Sequence, residues 1–294
     1  MTSIQQYGEN SVSTVIIVDN GSTDASLNFA TSPNLSLQVI RNLENRGFAA
    51  ACNQGAALCS SPYLLFLNPD AGLREDALQK SVGYLEDKEA ANIGILGVRL
   101  INEHGTTQRH CARFPSWSTY LGHALALDKV APKFFRPHFM TDFDHLTSRD
   151  VDQVIGAFFL VRRSVFECLN GFDERFFVYF EELDFSLRAR QAGWRTWYLA
   201  EAVAFHKGGG TSEQVKAHRL FYSLRSRFLY AFKHFSPIQA WIVLVAGLVI
   251  EPISRLIRCA LRGSRAELYD TLRGYRMLWS GLPATLRQAR QRDA

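Results

Sequence analysis

Short apolar runs recur through the first half of the chain, each closed by a polar turn. Val15 to Val18 is rich in β-branched side chains and bounded by "DNGSTD", which predicts a buried parallel strand ending at Asp19. Ser22 or Thr23 is placed to cap a following helix. Leu37 to Arg41 predicts the next strand, and the Ala and Leu spacing of "NLENRGFAAACNQGAALC" becomes helical after Gly47. Tyr63 to Ala71, "YLLFLNPDA", predicts another buried strand broken at Asn-Pro-Asp, with a helix from about Arg74 to Lys88. This alternation of strand and helix predicts an α/β layer with a mostly parallel sheet.

The pattern weakens between His104 and Asp150 and then sharpens. Phe176 to Phe180 reads as an aromatic strand or loop, and "EELDFSLRARQAG" as a helix closed by Gly193. "TWYLAEAVAF" predicts a strand running into His206, which precedes three glycines suited to a loop that closes over a substrate. From His218 onward Arg219, Arg225, Arg227 and Lys233 interleave with Phe and Leu. Ile238 to Ile250 is apolar apart from Gln239 and Gly247, 13 residues in all. That is short of the roughly 20 needed to span a bilayer, and Glu251, Pro252 and Arg255 interrupt any extension.

Charge changes the picture at the same place. From Val215 on there are 14 Lys and Arg against 4 Asp and Glu, whereas the first 214 residues carry 19 against 24. A basic, amphipathic tail over 215–294 fits attachment to an anionic membrane surface; the alternative is an ordinary helical subdomain packed on the core. No base-reading motif or stacking module points to nucleic acid. With 47% apolar and 21% charged residues among 294, the chain is globular. Five cysteines, Cys52, Cys59, Cys111, Cys168 and Cys259, without C-x-x-C spacing, indicate neither a disulfide framework nor a zinc site and fit a reducing compartment. The N-terminal "MTSIQQYGENSVS" has no basic or apolar signal-peptide region.

Ligands of parallel α/β sheets bind outside the carboxyl ends of the strands, where Asp19, Asn42 and Asp70 fall. Any one of them can instead be a turn residue or helix cap. On the 181–191 helix Glu181, Asp184 and Arg188 share a stripe, Asp184 and Arg188 are spaced for an i,i+4 ion pair, and Glu182 points about 100° away from Glu181. Adjacent carboxylates beside aromatic residues are costly in a dry core, so the pair marks either a site with a general base of raised pKa or a solvated helix N-terminus.

Taken together, "VIIVDNGSTDAS", "NRGFAAACNQG", "LFLNPDA", "GFDERFFVYFEELDFSLRARQAGW" and "AFHKGGGTS" resemble the family 2 inverting glycosyltransferases, and among them the rhamnosyltransferase-like branch. The resemblance spans about Thr14 to Ser212 and implies a GT-A fold, a Rossmann-like nucleotide-sugar domain over 1–214. It implies that Asp19 and Asn20 meet the nucleotide of a dTDP- or UDP-sugar, with Arg46, Gly47, Asn53 and Asn68 along it. Asn68-Pro69-Asp70 stands where the family carries its D-x-D motif, so Asp70 is expected to hold Mg²⁺ or Mn²⁺, with His206 as a further ligand. Glu182 takes the place of the catalytic Asp in an "EDxD" pattern, shifting the carboxylate by roughly an ångström; Glu181 is its rival and Arg188 braces Asp184 or the leaving group. Asp184 and Gly156, with 156–163 and 172–179, are expected on the acceptor side. The implied reaction is transfer of a sugar, rhamnose or another deoxyhexose, to a glycan or lipid-linked glycan at the cytoplasmic face of the membrane. The alternative is a glycosyltransferase-like protein that binds nucleotide or a partner without turnover.

In the family the strand ending at Asp19 is the second of the sheet. The missing first strand is expected between those ending at Asp19 and before Asp70, and its loss leaves rows of backbone groups unpaired at about 1 to 3 kcal/mol each when buried. This predicts either a start codon placed too far downstream or a decayed enzyme.

Overall fold

A computed structural model describes residues 1–8, 11–28, 35–208 and 215–291. The chain divides into two compact units: Met1–Arg113, Phe139–Phe177 and Glu181–Gly208 form one, and Phe114–His138, Val178–Phe180 and Gly209–Ala294 the other. The boundary expected at 214 therefore leaves out 114–138 and 178–180, which cluster with the C-terminal helices because Tyr120 packs on Phe180 and Phe235.

The first unit opens with α1 (Thr2–Tyr7), β1 (Val15–Asp19), β2 (Leu37–Arg41), α2 (Phe48–Ala57), β3 (Tyr63–Leu67), β4 (Ala71–Leu73), α3 (Ala77–Glu86) and β5 (Ile93–Ile101). It continues, after α4 (Trp117–Ala124) and α5 (Leu127–Val130) of the second unit, with β6 (Arg149–Val151), β7 (Phe158–Arg162), α6 (Arg163–Cys168), α7 (Glu181–Gln191) and β8 (Arg195–His206). The six-stranded sheet has the order β3-β7-β5-β8-β4, with β6 also on β8. Its longest ladder, β5 with β8, is parallel, while β7 returns antiparallel between β3 and β5, and β4 and β6 pair antiparallel with β8. The α/β architecture is as expected; the antiparallel strands are β6 and β7, at and beyond the end of the weakly patterned middle, and the three-residue return β4 after Asn-Pro-Asp.

Both faces of this sheet are buried, so its strands carry continuous apolar runs. Phe159 and Val161 of β7 join Ile95 of β5 and Phe185 and Ala189 of α7 on one face. Phe158 and Leu160 join Leu96, Leu199 and the α3 residues Leu78 and Leu85 on the other. In β8 the register against β5 jumps from Leu199 to Val203 opposite Val98 and Arg99, a bulge that keeps the strand running on to His206 beside Ala71.

β1 and β2 form a separate two-stranded parallel sheet and, among the described residues, pair only with each other. α2 joins the two sheets: Gly55 faces Val18 and Ile16 of β1, while Ala49, Cys52 and Ala56 sit in the core with Leu64 and Phe66 of β3. Among the described residues, the connection after β1 holds a 3₁₀ turn, Ala25–Leu27, and its cap is Asp24, which accepts the Ser26 N–H at 3.0 Å, rather than Ser22 or Thr23.

The second unit is helical. α8 (Lys216–His234) pairs with α11 (Arg265–Arg290); between them, α9 (Pro237–Val245), a π turn (Ala246–Ile250) and α10 (Glu251–Arg262) form one continuous helix. The α8–α11 approach requires a glycine, since a Cβ on Gly274 would lie 2.9 Å from the Ala217 carbonyl oxygen. Arg227, 8% exposed, and Glu251, 1% exposed, make a buried ion pair at 2.5 Å. Arg255 adds two hydrogen bonds to Glu251, at 3.0 and 2.7 Å.

Candidate active site

An amide network ties the ends of β1 and β2 to the start of α2. Asn42 Nδ2 donates to Asn20 Oδ1 and to Gln54 Oε1, both at 2.8 Å, and Asn20 Nδ2 donates to the Gly47 carbonyl at 3.0 Å. Asp19 Oδ1 accepts the Ser22 N–H at 3.1 Å, which shapes the turn and leaves its second oxygen for a ligand. Arg46 is exposed and has no ion-pair partner among the described residues. Gly47 has φ +90°, and a Cβ there would meet the Phe177 carbonyl oxygen at 2.5 Å; the next amide, Phe48 N–H, donates to that oxygen at 2.6 Å. The glycine thus lets the 177 backbone seat against the head of α2.

Asn68, Pro69 and Asp70 turn the chain from β3 into β4. Asn68 N–H donates to the Ala157 carbonyl at 3.3 Å, and the Asn68 carbonyl accepts Ala71 N–H at 3.0 Å. Because Ala71 lies opposite His206 in the β4–β8 ladder, the two side chains meet: Asp70 Oδ1 is 3.6 Å from His206 Nε2. Gln108 holds the ring from behind, its Oε1 2.9 Å from His206 Nδ1 and its Nε2 donating to the His206 carbonyl at 2.9 Å. In that arrangement Nδ1 carries the proton and the Nε2 lone pair faces a carboxylate oxygen, a pairing that a cation between them would satisfy.

The carboxylate pair heads α7. Glu181 is 4% exposed, so the solvated helix end is excluded. The chain enters this turn through Tyr179 and Phe180 at φ +66° and +75°, a conformation that bulky residues avoid and that concentrates at functional sites. Burial drives the Glu181 carboxyl well above its ordinary range and the neighbouring Glu182 charge adds to this. Burial also raises Glu182, partly offset by its own amide and by Gly156 N–H, which donates to Glu182 Oε1 at 3.4 Å. Oε2 of each Glu is buried without a hydrogen-bond partner. Beneath them Cys52 is held as a thiol, its pKa raised first by burial and then by the two carboxylates.

Gly156 and Ala157 join these groups. The Gly156 amide meets Glu182 and the Ala157 carbonyl meets Asn68, so one dipeptide stands between the base candidate and the Asp70–His206 pair. A Cβ on Gly156 would lie 3.8 Å from the Phe48 ring, which carries the line on to Gly47 and Asn20. Three expected residues make scaffold contacts, Arg188 among them by bracing Asp184, one of its two expected roles. Asn53 donates to the Phe172 carbonyl at 2.8 Å and accepts Phe172 N–H at 2.9 Å, stapling α2 to the 171–174 loop. Asp184 is fully buried against Arg188 at 2.8 Å. The Arg188 guanidinium also donates to the Leu169 and Gly171 carbonyls at 2.6 and 2.8 Å. Gln108 joins the site without any signal in the sequence, because its role rests on a contact between residues far apart along the chain. The loop expected to close after Gly208 falls on 209–214, outside the described residues.

The glycosyl transferase family 2 profile matches residues 2–169, more than half of the chain. The chain belongs to this family. This glycosyltransferase is 26% identical over 220 residues to the N-acetylglucosaminyl-diphospho-decaprenol L-rhamnosyltransferase of Mycobacterium tuberculosis, covering 69% of this chain and 70% of that protein. It is 31% identical over 170 residues to rhamnosyltransferase WbbL of Escherichia coli, covering 57% of this chain and 61% of the relative. Its fold is that of GalNAc-T7, solved with UDP, GalNAc and Mn²⁺: TM-score 0.54 at 14% identity, covering 79% of this chain and 44% of that one. The fold is GT-A.

Proposed function

We propose that the protein is an inverting, metal-dependent glycosyltransferase that moves rhamnose or another deoxyhexose from a dTDP- or UDP-sugar to a cell-surface glycan precursor. The observation that carries this reading is the unbroken line of contacts from Glu182 through Gly156 and Ala157 to Asn68, Asp70 and His206. The sugar and the lipid-linked acceptor rest on the names of the Mycobacterium and Escherichia relatives.

Glu182 is the base. Its raised pKa and partial exposure suit it to take the proton of an acceptor hydroxyl, while fully buried Glu181 keeps its own proton and shields the pair from double charge. The acceptor oxygen bonds to the anomeric carbon from the face opposite the nucleotide, and the anomeric C–O bond to the diphosphate breaks with its electron pair leaving on the diphosphate. Asp19 and Asn20 receive the nucleoside, and exposed Arg46 lies along the phosphates. Asp70 and His206 would hold a Mg²⁺ or Mn²⁺ through an oxygen and a nitrogen donor. Such an ion, when bound, would supply positive charge to offset that of the departing diphosphate.

Glu182→Gln should lower sugar transfer by about 10² to 10⁴-fold while leaving metal-dependent UDP or dTDP binding intact. The separation of β1 and β2 from the main sheet favours a second reading, a nucleotide-binding protein without turnover. If wild type and Glu182→Gln are equally inert and both bind nucleotide, that second reading replaces the first.

A further inference from the structure

The helix from Pro237 to Arg262 is 26 residues long and, by length and composition, apolar enough to cross a membrane, with a mean hydropathy of 1.9 in its apolar window. Its charges argue against crossing. Glu251 stands mid-helix and holds Arg227 and Arg255 in the packed interior of the helical unit; immersing that group in hydrocarbon is costly.

The other side of the same helix is bare. Trp241, Val245, Val249, Ile253, Ile257 and Leu261 recur every four residues and are between 49% and 84% exposed. A step of four overshoots an α-helical turn by about 40°, so six such residues would wind away from one face. The π turn at Ala246–Ile250 takes up one additional residue and removes about 100° of that drift. The result is one apolar stripe roughly 30 Å long.

At its C-terminal end lies a cavity of about 200 Å³ among α8, α10 and α11, lined by Lys216, Arg255, Arg258 and Arg262 against only Glu267 and Asp270. Arg255 is committed to Glu251 and Arg262 approaches Glu267 at 3.7 Å. Lys216 and Arg258 have no ion-pair partner among the described residues. Arg258 follows Ile257 directly, so the cationic cavity borders the stripe.

We propose that this helix lies flat in the interface of an anionic bilayer, with the Trp241–Leu261 stripe at the acyl boundary and a phospholipid headgroup phosphate in the Lys216–Arg258 cavity. Apolar burial supplies attachment and the cations supply selection for anionic lipid, a division seen wherever amphipathic helices lie in the membrane plane. This goes beyond the proposed function and does not depend on catalysis.

The test is sedimentation of the full-length chain with phosphatidylcholine vesicles, with and without phosphatidylglycerol. Wild type is expected to bind the anionic vesicles preferentially, and less as salt rises. Lys216→Glu with Arg258→Glu should weaken that binding at least about tenfold, and Val249→Asp with Ile257→Asp should abolish it, both without changing the melting temperature or transfer to a soluble acceptor. Equal binding to both vesicles, no binding to either, inorganic phosphate binding without vesicle binding, or a salt-independent interaction overturns the proposal. So does a dimer that the stripe variant dissolves, which would make the stripe a contact between copies. If vesicles behave as expected while wild type transfers no sugar, the docking face stands and the catalytic reading falls.

Discussion

Asp70 and His206 face each other as two acceptors, and Gln108 decides which nitrogen of the ring does so. With Gln108→Leu the ring loses its Nδ1 partner and its fixed orientation, so Mn²⁺ affinity should fall by about 10 to 100-fold, read from Mn²⁺ titration of nucleotide binding rather than from turnover. Glu181 carries a pH signature. A carboxyl whose folded pKa lies above its ordinary 4.5 keeps a proton that the unfolded chain has released, so its contribution to stability declines as pH rises from 4.5 through the folded pKa. Glu181→Gln removes that decline and should raise the neutral-pH melting temperature by a few degrees, about 2 to 4 °C per kcal/mol recovered, with little change at pH 4. A melting curve that falls equally with pH in wild type and variant contradicts the assignment. Asp19 and Asp70 were singled out by their strand ends, and Glu182 and His206 by the family resemblance; Gln108 was not, since its partner lies 98 residues away along the chain.

Among the elements, β1, β2, α2, β3 and α3 occur in the order read from the hydrophobic pattern and β2 has the bounds that pattern gave, whereas the helix expected after β1 is a 3₁₀ turn among the described residues and β4 was not expected. Local alternation and turn chemistry suffice there. The pattern could not order the strands: β7 enters between β3 and β5 because its two faces are both apolar and match two cores at once. Among the described residues β1 pairs on one side only, so half of its strand amides lack a ladder partner there, whereas β5 is paired on both sides. Amide hydrogen exchange should therefore be much faster at Val15–Asp19 than at Ile93–Ile101. Comparable protection would mean that β1 has gained a second neighbour in solution.

For the whole molecule, the buried charges of the helical unit set acid and mutational sensitivity. Burial alone would raise the Glu251 carboxyl, but Arg227 and Arg255, with His123, outweigh it and hold it at about 2. A depressed carboxyl stabilises above its ordinary 4.5 and loses that contribution as pH falls toward about 2. Glu251→Gln leaves Arg227 buried without a counter-charge and should cost about 3 to 5 kcal/mol, measured by denaturant unfolding at neutral pH. Adding Arg227→Met should recover much of the loss; if it does not, the pair is not the source.

The sequence by itself determined the elements, the fold class and the chemical groups of the site, because these follow from local periodicity, turn residues and side-chain type. Only the tertiary structure decided which groups lie together and which are held in scaffold contacts. It buried Arg188, Asp184 and Asn53 in scaffold contacts, set Glu182 and Asn68 on either side of Gly156–Ala157, and turned the apolar stripe of the last helices outward. The reason is physical: a side chain's charge and reach are written in its identity, but its partners come from segments far along the chain and are fixed only when the cores close.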